Sequence, residues 1–216
     1  MRQLRSILPA LPHHVVLRGN NRRRLFSYRW EYRLFLKLLE DAARAHVVPV
    51  HALALMTNHV HLVVSPPEQE VCSAFVKSFA QRYAQKRNQR RAASGKLFEQ
   101  RYASFPLRSD AQLAKATAYI ELNPVSAGMF ADPLGSPWTT YALHLGRPSE
   151  TRVPQTLWSP SPWYLALGDT DEKRQARYAD WVADCRALTR LPMPDERDDE
   201  PVKDRRIRRP DNSRAT

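Results

Sequence analysis

His59 and His61 stand two residues apart in the stretch MTNHVHLVV, residues 56–64. Side chains alternate across a strand, so both imidazoles project from one face while Val60, Leu62 and Val64 take the other. At a rise of ~3.3 Å per residue their Cα atoms lie roughly 7 Å apart, close enough for two neutral imidazoles to chelate one divalent ion. A second pair lies further along. Tyr119 and Asn123 are four apart in SDAQLAKATAYIELN, residues 109–123, and so share a helical face. An amide oxygen at Asn123 is able to complete a metal site and a phenolic oxygen at Tyr119 to act as a nucleophile. On the residues alone, two half-exposed strand histidines and an ordinary packed tyrosine account for the same pattern.

The elements that must position these groups are legible from periodicity. HHVVLRGN (13–20) reads as a strand over Val15 to Arg18, closed by Gly19-Asn20. Residues 27–46 read as a helix with Leu34, Phe35, Leu38, Leu39 and Ala42 on one face and Ser27 as its cap. Residues 47–56 and 59–64 read as two strands joined by a tight Thr57-Asn58 turn. Residues 70–89 read as a second helix, 103–108 as an edge strand because of Pro106, and 109–123 as a third helix that Pro124 terminates. The order β-α-β-β-α-β followed by a helix predicts an α+β fold. It is a ferredoxin-like or RRM-like antiparallel sheet with two helices on one face, to which the tyrosine-bearing helix is added. The histidines are then expected on the open face.

Beyond this core, residues 131–165 read as a Pro- and Trp-rich extension in which Trp138, Trp158 and Trp163 pack rather than stack bases, and 171–188 as a closing helix. The predicted organisation is a domain over 1–147, a C-terminal extension over 148–190 and a disordered charged tail over 191–216.

Charge points to the partner. The chain carries a net charge of +12, and its positive residues cluster. Residues 1–30 hold no acid but include Arg18, Arg22, Arg23 and Arg24; residues 71–98 hold none and include Arg82, Lys86, Arg87, Arg90 and Arg91. Two such blocks predict a phosphate-rich ligand, with these nine side chains tracking a nucleic-acid backbone. The two cysteines, Cys72 and Cys185, have neither metal-site nor disulfide spacing. No apolar run approaches the ~18 residues of a membrane span, and the proline-broken N-terminus does not read as a secretory signal, so a soluble intracellular protein is expected.

Four motifs in order, PHHVVLRGNNRRRLF, LMTNHVHLVV, GKLFEQRYASFPL and AYIELNPVSAGM, resemble the REP-associated tyrosine transposases, a branch of the single-tyrosine HUH transposases. The resemblance spans roughly 9–145 and continues more loosely to about 185. It implies His59 and His61 as ligands of Mg²⁺ or Mn²⁺, Asn123 as the third ligand and Tyr119 as the nucleophile. It further implies cleavage and rejoining of single-stranded, hairpin-forming DNA through a 5′-phosphotyrosine, in a bacterial cytoplasm and on the nucleoid, by a homodimer or a monomer. Ala118 and Ser126 replace two arginines common in the family, and Leu17 a glutamine. Tyr102 is the alternative nucleophile, ranked lower because it precedes the edge strand and lacks an amide four residues on. A catalytically inactive, domesticated nucleic-acid-binding protein on the same fold is the competing reading. A metal-dependent hydrolase is disfavoured because no carboxylate has a matching spacing.

Overall fold

Alternating apolar residues form four strands: β1 (His13–Arg18), β2 (Val50–Leu55), β3 (His59–Val64) and β4 (Ala103–Pro106). In the computed structural model, which describes residues 11–187, they make one sheet in the order β2-β3-β1-β4 with every neighbouring pair antiparallel. Helix α1 (Arg29–His46) connects β1 to β2, and α2 (Gln69–Arg90) connects β3 to β4. Val15, Leu17, Val60, Leu62 and Val64 face these two helices and meet Phe35, Leu39, Phe75, Phe79 and Tyr83 in the main core. Full burial of each such side chain contributes about 1.5–3 kcal/mol relative to exposure.

Helix α3 (Asp110–Ser126) covers the opposite face of the sheet. Ala52 and Ala54 of β2 and Ala116 of α3 are small enough for close approach, and Leu113, Ile120 and Val63 fill the remainder. The face expected to be open is therefore roofed. Strand alternation told which residues share a face but not which helix lies over it. The helix also runs on through Pro124 to Ser126 rather than ending before it. Pro124 lies in the last turn, where it removes one donor only, and Ala127 N–H still reaches the Asn123 carbonyl at 2.9 Å. The start of β2 is corrected too: it begins at Val50, because Val47 takes the left-handed conformation (φ 52°) that closes α1.

The segments after α3 wrap the β2 edge. Leu55 N–H donates to the Trp138 carbonyl, Thr140 N–H to the Leu53 carbonyl and Ser159 N–H to the Val50 carbonyl, so the exposed edge of β2 is paired. Trp138 stacks on Tyr32 with ring centroids 4.5 Å apart, and the Trp158 indole donates to the His51 carbonyl. Three further helices, α4 (Tyr141–His144), α5 (Pro162–Leu165) and α6 (Asp171–Ala187), pack with Ala118 and Leu122 on the outer side of α3. The tail from 191 on lies outside the described residues. Among those that are described, no helix is long and apolar enough to cross a membrane.

Candidate active site

The Thr57-Asn58 turn, closed by Met56 N–H on the His59 carbonyl, sets the start of β3 and with it both histidines on the α3 face. Their rings meet edge to face with centroids 4.7 Å apart. Both are buried, His59 at 6% and His61 at 4% exposure, so they are not the half-exposed residues of an open face. His59 Nδ1 lies 2.7 Å from Asn58 Oδ1, which can only accept; Nδ1 therefore carries the proton and Nε2 keeps its lone pair. That Nε2 is buried and has no hydrogen-bond partner.

His61 is held the same way by a residue the sequence reading did not single out. His14 lies on β1, two residues before Val16, which pairs with His61, so it shares the histidine face. Its Nε2 lies 2.9 Å from His61 Nδ1, and the rings stack at 5.1 Å. The signal was present in HHVVLR, where alternation with Val16 and Arg18 puts His14 on that face. Burial holds His14 down to about 4, reinforced by His59; His59 is likewise held to about 4 by burial and then by Arg18. Burial, with His59, His14 and Arg18 behind it, takes His61 well below its ordinary value. All three imidazoles are thus neutral near pH 7, the state that ligates metal.

Helix α3 brings the second pair over the first. Asn123 is buried with its Nδ2 at 3.1 Å from His61 Nε2. The half-buried Tyr119, one turn earlier, meets His61 edge on at 5.8 Å and His14 at 6.3 Å. Tyr102 is elsewhere: its hydroxyl lies 3.3 Å from Ser73 Oγ and 3.7 Å from Cys72 Sγ, on the α2 side of the sheet. Among the described residues no group of three or more His, Cys, Asp or Glu could hold a metal. A set of two imidazoles and one amide does fit a divalent cation. His59 Nε2 is an unused buried donor atom, and rotating the Asn123 amide would exchange its nitrogen for its oxygen beside His61 Nε2. Asn58 fixes the His59 tautomer, and His14 is the outer partner of the His61 ring.

The basic residues divide. Arg18 ends β1 opposite His59 and on the same face. The loop that follows runs beside the histidine turn, since Gly19 N–H donates to the Asn58 carbonyl. A Cβ at Gly19 would meet the Arg23 carbonyl oxygen at 2.0 Å, so only glycine permits this bend. Arg23 and Arg24 are exposed there and Arg22 is half-buried; Arg23 also donates to the Lys96 carbonyl. Lys86, Arg82 and Arg90 are exposed on α2, with Arg82 3.9 Å from Asp41 and Arg90 lying 4.4 Å over the Trp30 ring. Arg87 and Arg91 correct the expectation of a phosphate-tracking block. Arg87 is buried, with Nε 2.9 Å from Glu31 Oε1, and donates to the carbonyls of Leu25 and Arg24. Arg91 Nε lies 2.7 Å from the same oxygen. The block is free of acids along the chain but not in space, because α1 supplies the fully buried Glu31 to it.

No curated protein matches the chain significantly. The structure of a REP-associated tyrosine transposase bound to a REP hairpin shares its fold, with a TM-score of 0.55 over 74% of this chain and 93% of that one at 15% identity. A candidate transposase from Deinococcus radiodurans R1 overlaps less, with a TM-score of 0.39 over 56% of this chain and 96% of that one at 23% identity. The sequence profile described as "Transposase IS200 like" matches residues 8–123, a stretch that holds His14, His59, His61, Tyr119 and Asn123. With more than half of its 216 residues inside that match, the chain belongs to the IS200-like transposase family.

Proposed function

We propose that this transposase cleaves and rejoins single-stranded, hairpin-forming DNA, with Tyr119 as the nucleophile. The observation that carries the reading is the meeting of Tyr119 and Asn123 of α3 with His59 and His61 of β3 within one chain. The whole set lies on one chain, an arrangement that serves a monomer and a homodimer alike. The Tyr119 oxygen attacks the scissile phosphorus; the P–O3′ bond breaks, leaving a 5′-phosphotyrosine and a free 3′-OH. Attack by that hydroxyl, or by another 3′-OH, re-forms a phosphodiester and returns the tyrosine, so the bond energy is conserved and no nucleotide cofactor is consumed.

His59, His61 and Asn123 would hold Mg²⁺ or Mn²⁺, which supplies polarisation of the phosphate oxygens when bound. The protein contributes the rest: Asn58 and His14 fix the imidazoles, α3 carries the tyrosine, and burial keeps the rings uncharged. Arg18, Arg22, Arg23 and Arg24, beside the turn that carries His59, and Arg82, Lys86 and Arg90 on α2 are proposed to follow the DNA backbone. We assign 1–147 to the strand-transfer domain and 148–190 to an extension that braces it. The solved relative bound to a REP hairpin supports a hairpin as the ligand class.

The test is direct. Labelled hairpin DNA with a single-stranded flank is incubated with the protein and Mn²⁺, and a covalent protein–DNA adduct surviving SDS is sought. The reading expects that adduct, and expects EDTA and Tyr119→Phe each to remove it. Hairpin binding with no adduct from the wild-type protein would instead identify an inactive nucleic-acid-binding descendant.

A further inference from the structure

The same helix that carries Tyr119 and Asn123 buries a carboxylate that the proposed chemistry does not use. Glu121 is 0% exposed and points away from the histidines, into the cluster formed by the C-terminal segments. Its Oε1 accepts from Thr140 Oγ1 at 2.5 Å and lies 2.9 Å from His144 Nδ1. Its Oε2 accepts from Tyr178 Oη at 2.5 Å. A buried carboxylate is costly unless its oxygens are satisfied, and here a helix-cap threonine, α4 and α6 all converge on it. An apolar residue would pack the same space at lower cost, which asks what the charge achieves.

The partners lead back to the histidine strand. Thr140 Oγ1 also accepts from Leu53 N–H at 3.0 Å, and Thr140 N–H donates to the Leu53 carbonyl at 3.2 Å. Leu53 on β2 pairs with Leu62 on β3, and its neighbour Ala54 pairs with His61. A hydrogen-bonded path thus runs from Glu121 through Thr140 to the strand beside His61. Asn123 closes it on the other side at 3.1 Å from His61 Nε2. Apolar packing of α3 through Ala116 and Ile120 is non-directional and leaves a helix free to slide or roll by a fraction of an ångström. Directional hydrogen bonds to a buried charge do not.

We propose that Glu121 is a positioning residue: it fixes the roll and height of the tyrosine helix against the histidine strand by tying α3 to the β2 backbone and to the C-terminal extension. The extension is then part of the strand-transfer device, because Tyr178 of α6 supplies one of the three ties, beside those from Thr140 and His144. This rests on the assignment of Tyr119 as nucleophile, and its test separates the two.

Glu121→Gln and Tyr178→Phe are compared with Cys185→Ala, a buried change in the same cluster but outside the hydrogen-bond network of Glu121. Two quantities are read: the nuclear Overhauser effect between the Tyr119 and His61 rings in the free protein, and the rate of adduct formation at saturating hairpin. Glu121→Gln should weaken the Overhauser effect, leave hairpin affinity within about twofold, and slow adduct formation roughly tenfold or more, as small misplacements of reacting groups do. Tyr178→Phe should do the same to a smaller extent. Cys185→Ala should lower Tm while leaving both readouts in place. An Overhauser effect undiminished in Glu121→Gln, or weakened equally in Cys185→Ala, overturns the proposal. Weakening in Glu121→Gln that spares Cys185→Ala upholds it; wild-type protein without adducts in that case counts against the nucleophile, not against the positioning.

Discussion

Asn123 Nδ2 lies 3.1 Å from His61 Nε2, a contact between residues 62 apart in the chain. It joins the helix that carries Tyr119 to the strand that carries the histidine pair. Most of what can be tested about the site follows from that junction.

Tyr119→Phe is expected to abolish the SDS-resistant adduct and to leave hairpin affinity nearly unchanged, since only the nucleophilic oxygen is lost. Tyr102→Phe should cleave like wild type, because that hydroxyl is on the other side of the sheet beside Ser73 and Cys72. Adducts that persist in Tyr119→Phe and vanish in Tyr102→Phe would reverse the assignment.

His59→Ala and His61→Ala should each eliminate cleavage, and Asn123→Ala should weaken it less, an amide being the poorest ligand of the three and replaceable by water. His14→Phe keeps a ring of similar shape but removes the nitrogen that pairs with His61 Nδ1. Loss of an outer partner of this kind costs about 10–100-fold in metal affinity. Titration of Mn²⁺ followed by electron paramagnetic resonance reads this without any cleavage; unchanged affinity in His14→Phe would make its role one of packing.

Arg87→Ala should act on stability. The residue is 6% exposed and its Nε lies 2.9 Å from the fully buried Glu31, so its removal leaves that carboxylate with Arg91 as its remaining ion partner and costs less than the ~3–5 kcal/mol of a fully orphaned buried charge. A fall in Tm is expected. A Tm equal to wild type in Arg87→Ala would refute the structural role.

The salt dependence of binding should report on other residues. Each phosphate contact to single-stranded DNA contributes a slope of about −0.7 in log K against log salt. Arg23→Ala with Arg24→Ala, both exposed beside the histidine turn, should flatten that slope by up to ~1.4. Affinity for cognate and scrambled hairpins should fall alike if the contacts are to phosphates alone. An unaltered slope would place the backbone contacts elsewhere on the surface.

Much of this protein was readable before any coordinates. Alternation in HVHLVV put two imidazoles on one strand face, and the four-residue spacing put Tyr119 and Asn123 on one helical face, because the periods of strand and helix are local properties of the backbone. The split β-α-β antiparallel fold also followed from the β-α-β-β-α-β order of elements. The tertiary structure decided what periodicity does not encode. It chose the side of the sheet that α3 covers, since small residues at Ala52, Ala54 and Ala116 permit the approach but do not announce it. It brought His14 to His61 across a β1–β3 pairing of residues 47 apart. It also turned Arg87 and Arg91 from a run of free charge into the partners of Glu31, because Coulomb interactions depend on distance in space and not along the chain.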